Sequence, residues 1–383
     1  MKSLIWVKVL LSLILIIVFS VCLINYIVDP YNLYKTNLFK NKPKEFEYMR
    51  LIKAINIEKI KPSSIVLGTS RAEMAIDPDH EYFIKPSYNL ANAGSTMYET
   101  KYYLKEAILQ GKLKKVLLVA DWRMFNDVSM KKVIDFETYF ENRNIYKYLL
   151  NYKVFKDSLF TIKNKNIVSL YNNNGQMKED YLNKIVLSNG GHYKTMIKEE
   201  KNYYKELSDN NLYKDTQKSS LLDFIEILEL CYKNDIELDI VFGPSHIRQW
   251  EAFDYYKDYE TLLTWKKDLV EIVQKVANKF NKIPFRIVDF AVYNEYTSEK
   301  IPTEENQSMV YHYEGSHYKP KLGEMLLKSL SSGDYHNNFG VELNNNNIDS
   351  HLQKLREDRN KFINTKEYKK EVFGELYQQE VNN

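Results

Sequence analysis

The fold of this chain turns on the stretch 65-IVLGTSRAEM-74. Three apolar residues, Ile65 to Leu67, run into Gly68-Thr69-Ser70-Arg71, after which the chain becomes polar. This is the pattern of a buried strand that stops at a small-residue turn, and such a turn holds a hydroxyl at the rim of a sheet. Ser70 is then either a nucleophile or the N-cap of the next helix, because Glu73 follows at capping-box spacing.

Outward from that strand the same alternation repeats. Phe46, Met49, Ile52, Ile55 and Ile57 space a helix over 46–61 that ends before Pro62. Beyond residue 70 the pattern predicts a strand over 88–94, a helix over 96–110 stopped by Gly111, and a strand over 115–121. After residue 218 it predicts a helix (219–234), a strand (237–243), a long helix (259–280), a strand (285–290) and a last helix (320–331). Five strands with covering helices imply an α/β fold: a three-layer, doubly wound, five-stranded parallel sheet. Residues 126–217, rich in Asn, Lys and Tyr and without a strand run, read as a helical insertion, a lid or a partner surface. The expected organisation is an anchor (1–30), an α/β domain (31–339) carrying that insertion, and a C-terminal tail (340–383) with a polar helix over 349–378.

Composition narrows the function. With 383 residues and 44% hydrophobic content the chain can bury a sizeable core. Its 54 basic and 51 acidic residues are interspersed, which leaves no electrostatic footprint for nucleic acid. The two cysteines, Cys22 in an apolar run and Cys231 in a helical pattern, exclude a disulfide framework and a Cys-based metal site. The 31 tyrosines fit either sugar-binding aromatic faces or a compositional bias. Residues 4–28 supply roughly 20 to 25 apolar residues, enough to cross a bilayer, and no small-x-small site follows them. We read an uncleaved single-pass anchor in the cell membrane, N-terminus in the cytoplasm and the globular part outside, although Lys35, Lys40, Lys42 and Lys44 follow the span.

Ligands of an open parallel sheet bind beyond the carboxyl ends of its strands. That rule selects Ser70, Gly94, the segment Asp121 to Asn126, and Gly243 to His246, joined by Glu314-Gly315-Ser316-His317 after the last strand. A serine hydroxyl needs a base, and His317 is the candidate. Glu314, three residues upstream on a tight turn, can hold its other nitrogen, with Asp289 as the alternative acid. Backbone amides of Ser70 and Gly94 can receive a developing oxyanion, and Asn126 is the nearest side-chain amide to complete the hole. Arg71 either binds an anionic substrate or sits in a salt bridge. His246 is a substrate contact, a second base or a rim histidine. Asp77, Asp79 and His80 form a Pro-containing turn in which a metal site is the lesser reading.

Gly68-Thr69-Ser70-Arg71, 89-NLANAG-94 and 314-EGSHYKPKLG-323 together resemble the serine, glycine and acid-x-x-His blocks of the SGNH (GDSL-like) hydrolase superfamily. The nearest branch is similar to the membrane-anchored SGNH-like proteins of bacterial envelopes that serve in teichoic acid alanylation and alginate acetylation. The resemblance spans about residues 60 to 335, leaving 126–217 unmatched. It implies Ser70 as nucleophile, His317 as base, Gly94 as oxyanion donor and no metal or organic cofactor. The expected anchor argues for an envelope polysaccharide or lipid-linked substrate and an integral membrane acyl-transfer partner. Two positions depart from the family: its usual Asp is Glu314, and its Gly-x-Asn-Asp block is replaced by 121-DWRMFND-127. Those departures motivate the alternative, an SGNH-fold binding or scaffold protein with weak chemistry.

Overall fold

A computed structural model describes residues 2–36, 38–126, 136–141, 144–203 and 210–365, so parts of the expected insertion and the far end of the expected tail helix lie outside the described residues. In chain order its elements are α1 (Lys2–Val28), α2 (Met49–Ile60), β1 (Ser64–Leu67), α3 (Ser70–Ala75), β2 (Ser87–Asn89), α4 (Met97–Leu109), β3 (Lys115–Ala120), α5 (Trp122–Phe125), α6 (Thr138–Glu141), α7 (Tyr152–Lys163), α8 (Asp180–Ser188), α9 (His192–Tyr203), α10 (Ser220–Lys233), β4 (Glu237–Phe242), α11 (Ile247–Tyr256), α12 (Tyr259–Phe280), β5 (Arg286–Asp289), α13 (Pro320–Ser332), β6 (Val341–Leu343) and α14 (Ile348–Ile363). They fall into two compact units, one of residues 1–59 and 135–172 and one of residues 60–134 and 173–383.

The larger unit is the α/β part. Its sheet runs β2-β1-β3-β4-β5-β6, parallel from β2 through β5. A sixth strand corrects the expected five. β6 lies in the segment read as tail and pairs antiparallel with β5, Asp289 opposite Val341 and Ile287 opposite Leu343. The tail helix α14 then packs on α12. His351 of α14 reaches Asp289 at 2.9 Å, and Lys266 of α12 reaches the same carboxylate at 2.7 Å. Burial pushes the Asp289 carboxyl up, yet the Lys266 charge and the His351 hydrogen bond outweigh it and hold it below its ordinary value.

Alternation along the strands sends Val66, Leu117, Val119, Val241 and Val288 to one face, where they share a core with Ala72 and Ala75 of α3 and Leu322, Leu326 and Leu330 of α13. Their neighbours Ile65, Leu67, Val116, Leu118, Ile240 and Ile287 are equally buried and face the other way. Helices α4, α10 and α12 pack on one another in sequence. α4 starts with a true capping box, Thr96 accepting from the Glu99 amide and Glu99 reaching back to Thr96.

The α3–α13 contact is tight enough to make a prediction. A Cβ on Gly323 would lie 1.9 Å from the Ala75 carbonyl oxygen, so Gly323→Ala must push α13 away from the helix that carries Ser70. It is expected to destabilise the protein by about 1–3 kcal/mol, read as a lower thermal midpoint.

The smaller unit contains α1, α2, α6 and α7. Leu4–Val28 of α1 is long and apolar enough to cross a membrane, and none of its most apolar window is buried. At about 1.5 Å per residue those residues span roughly 37 Å, against a hydrocarbon core of about 30 Å. The end of α1 is anchored by polar contacts. Asn25 Nδ2 donates to the Leu149 carbonyl at 2.8 Å and Asn25 Oδ1 accepts from Ser158 Oγ at 2.9 Å. Asp29 then accepts from the amides of Leu33 and Tyr34 at 2.6 and 3.0 Å, and Lys42 Nζ donates to the Val28 carbonyl at 2.8 Å.

Candidate active site

Strand order reverses between β1 and β3, which places the ligand crevice of such a sheet beyond the ends of these two strands. β1 leads into the crevice through Gly68, whose φ is +153°. A Cβ there would meet Ala72 Cβ at 2.8 Å and the Val119 carbonyl oxygen at 3.0 Å, so glycine alone fits. Thr69, not Ser70, is the N-cap of α3, and its hydroxyl makes no capping bond but donates to Asp121 Oδ2 at 2.8 Å. Ser70 is therefore the first helical residue. Its Oγ stands 2.7 Å from His317 Nε2, so the hydroxyl faces the histidine rather than its own helix.

His317 sits on a tight turn closed by the Tyr313 amide donating to the His317 carbonyl at 2.9 Å and the Lys319 amide donating to Tyr311 at 2.7 Å. Within that turn Glu314 folds back. Oε2 accepts from the Ser316 amide at 2.7 Å, and Oε1 accepts from the His317 amide at 2.9 Å and bonds His317 Nδ1. The longer side chain of Glu thus reaches the imidazole by curling over its own backbone. Burial raises the Glu314 carboxyl, but the His317 interaction and the two amides outweigh it, and the group is held below the ordinary carboxylate value. A carboxylate on Nδ1 selects the tautomer protonated there, which leaves the Nε2 lone pair toward Ser70. The His317 side chain is 17% exposed and that of Glu314 5%, an accessible base on a buried orienter.

Arg71 does not reach out to solvent. Its Nη1 pairs with Asp121 at 2.6 Å, and Nε and Nη2 donate to Ser316 Oγ at 3.1 and 3.0 Å. One side chain thus ties the serine turn to the β3 end and to the histidine loop, across the switch point. Asp121 caps α5 as well, accepting from the Arg123 amide at 3.0 Å. Because Arg71 and Asp121 are both buried, Asp121→Ala strands a guanidinium in low dielectric and is expected to cost about 3–5 kcal/mol in chemical denaturation.

The remaining expected residues divide. Gly94 lies in the turn after β2 with φ +61°, and neither its amide nor that of Ser70 has an acceptor among the described residues. The Asn126 amide, expected in the oxyanion hole, instead donates to the Asn210 carbonyl. His246 is the N-cap of α11: Nδ1 accepts from the Arg248 amide at 3.2 Å and Nε2 donates to the Glu299 carbonyl at 2.7 Å. Both nitrogens are taken by backbone and burial holds the ring neutral, so it presents neither a base nor a substrate contact. The alternative acid Asp289 is held by Lys266 and His351, not His317. Asp77 and Asp79 accept from the Asn174 amide at 3.0 and 2.7 Å, and among the described residues no His, Cys, Asp and Glu group is arranged for a metal.

Two parts of the site were not read from the sequence. Helix α9, inside the expected insertion, leans on the histidine loop: His192 Nδ1 bonds the Tyr313 carbonyl at 2.8 Å and Met196 Sδ lies 3.2 Å from the position of a Cβ on Gly315. Glu200 forms a buried pair with Arg248 at 2.7 Å. Glu199 on the same helix is pushed up by burial and by the Glu314 charge, while His317 opposes the rise. The spacing of 192, 196, 199 and 200 is helical, and was the available signal. The second part is a cavity of about 50 Å³ behind Arg71 and Asp121, walled by Trp122, Trp250, Phe253 and Trp265. The indole nitrogens of Trp122 and Trp265 are buried there without hydrogen-bond partners. Ser70 and His317 do not line it. No protein-family model matches the chain, and no curated protein matches it.

Proposed function

We propose that this chain is a membrane-anchored serine esterase or O-acyltransferase of SGNH type that acts on a cell-envelope glycan or polymer through an acyl–Ser70 intermediate. The reading is carried by one observation, the 2.7 Å contact of Ser70 Oγ with His317 Nε2 while Glu314 holds Nδ1. In the first half-reaction His317 takes the Ser70 proton as Oγ bonds the ester carbonyl carbon. The negative charge on the carbonyl oxygen is met by the Ser70 and Gly94 amides. Collapse breaks the bond to the leaving oxygen, which receives the proton from His317. In the second half-reaction water or a sugar hydroxyl gives its proton to His317 and adds to the acyl carbon, and Ser70 leaves with that proton. Water makes the protein an esterase, and a hydroxyl of the polymer makes it an acyltransferase.

α1 would tether the chain that carries this site to the outer side of the membrane, where an integral membrane partner can hand over the acyl group. A second reading, a scaffold or binding protein of an envelope-modification complex, is favoured by the engagement of Asn126 with Asn210. A fluorophosphonate probe separates the two. Stoichiometric capture at Ser70 by the full-length protein supports the enzyme, and no capture by folded protein between about pH 6 and 9, where imidazole acts as a base, sinks it.

A further inference from the structure

Helix α7 is built inside out. Its buried side chains are Val154 and the polar Asp157, Ser158 and Thr161. Its outward side carries Tyr152 at 76% exposure, Leu159 at 47%, Phe160 at 40% and Ile162 at 41%. A soluble amphipathic helix shows the opposite distribution, apolar side chains inward and polar ones outward. The inward polar groups are satisfied: Tyr31 donates to Asp157, Ser158 to Asn25 and Thr161 to the Asp157 carbonyl. The arrangement is therefore a settled packing of α7 against the end of α1, and its apolar face stays largely exposed, with Lys44 over the Phe160 ring at 4.7 Å. The flanking segments also expose apolar side chains, Leu150 at 60% and Val168 at 51%.

Three further observations identify what covers it. First, α7 belongs to the same compact unit as α1, and it is fastened to the last turn of α1, where a spanning helix leaves the hydrocarbon. Second, exposed Lys156 and Lys163 stand among the apolar residues, Lys156 over the Tyr152 ring at 5.7 Å, while Lys153 turns to Asp157 at 3.5 Å and to the Tyr48 ring. Third, lysines with aromatic and aliphatic side chains on one face are what a helix lying in the headgroup region requires, the rings and chains entering the acyl boundary and the ammonium groups staying at phosphate level. A second protein surface would not need that fringe of like charge. We propose that α7 is a monotopic element lying in the lipid headgroup region beside α1, its lysines facing anionic lipid phosphates, so that the protein touches the bilayer through a span and a surface helix together. The proposal does not depend on the chemistry of Ser70. It does rest on α1 entering a bilayer.

The test uses the full-length chain reconstituted in vesicles of phosphatidylcholine and phosphatidylglycerol. Cys22→Ser leaves only the buried Cys231, and an environment-sensitive fluorophore is then placed by Leu159→Cys, Ile162→Cys or Leu15→Cys in the span. The quencher is a lipid carrying a nitroxide on its acyl chain. Labels at 159 and 162 are expected to lose emission by a fraction close to that at 15. Quenching at 15 with water-like, unquenched emission at 159 and 162 overturns the proposal and leaves the anchor intact. Blue-shifted but unquenched emission at 159 and 162 also overturns it, since a second copy of the chain then covers the face. Failure at 15 removes the anchor itself. Lys156→Glu combined with Lys163→Glu is expected to reduce quenching at 159 in the mixed vesicles and not in pure phosphatidylcholine; equal behaviour in both overturns the role of the lysines.

Discussion

Ser70→Ala is expected to lower ester turnover by about 10⁴-fold or more and to abolish fluorophosphonate capture, with little change in thermal midpoint. The asymmetry between the two readouts is what makes the result informative. Ser70 is only half-buried and its hydroxyl makes one protein contact, so its loss costs about one hydrogen bond, roughly 0.5–1.5 kcal/mol. In the proposed reaction the nucleophile is Ser70, and among the described residues no other hydroxyl bonds His317 Nε2. His317→Ala should fall as far, and the double variant no further, because the two residues act as one unit and their losses do not add. A double variant that multiplies the two losses would mean that His317 serves some step other than the proton transfer from Ser70. The assay is capture of the probe by full-length wild type, the two single variants and the double, each with its unfolding curve.

Glu314→Gln is the second large effect. Glu314 accepts from the Ser316 and His317 amides and from His317 Nδ1, and an amide offers one acceptor oxygen where the carboxylate offers two. One side of Gln must face an N–H with an NH₂, leaving a buried donor unpaired at about 1–3 kcal/mol. The imidazole also loses the anion that fixes its tautomer, for which a drop of about 10³–10⁴ in rate is expected. Glu314→Asp keeps the charge but falls roughly one bond length short, and an intermediate rate is the expected outcome. Stability adds a pH signature. The folded carboxyl lies below its usual value of 4.5, so its contribution is fully present above about pH 4.5 and fades as pH falls through the folded value. The stability gap between wild type and Glu314→Gln should therefore narrow in acid, and a gap that widens there would contradict the network described for Glu314.

Much of the larger unit was legible because its signals are local. The five parallel strands were readable as apolar runs bounded by turn residues, although the strand expected over 88–94 is only Ser87–Asn89, and the longer helices between them were readable as apolar spacing, while α5 and α11 were not read. β6 escaped because Val341-Glu342-Leu343 is three residues long and stands before an Asn run that reads as tail. At Ser70 local pattern misled: Ser70 and Glu73 match the capping box as well as Thr96 and Glu99 do, and only the second pair forms one. What separates them is the partner offered from 247 residues away, His317, which no local rule contains. His246 shows the converse. Position after β4 marked it for the cleft, but the amide of Arg248 and the carbonyl of Glu299 occupy both nitrogens. The insertion was read as one piece, yet residues 135–172 join the anchor and residues 173–217 the sheet, because Asn25 finds its partners more than a hundred residues downstream.

That last connection bears on how the protein is made. α1 is synthesised well before the hydroxyl and carbonyl that satisfy Asn25, which belong to Ser158 and Leu149 and emerge only after β1, β2 and β3 have been made. The polar end of α1 is therefore met only by a later strip of chain, one that interrupts the strand series of the sheet. A shortened version that begins after α1 would release α7 from the helix that its polar side packs against.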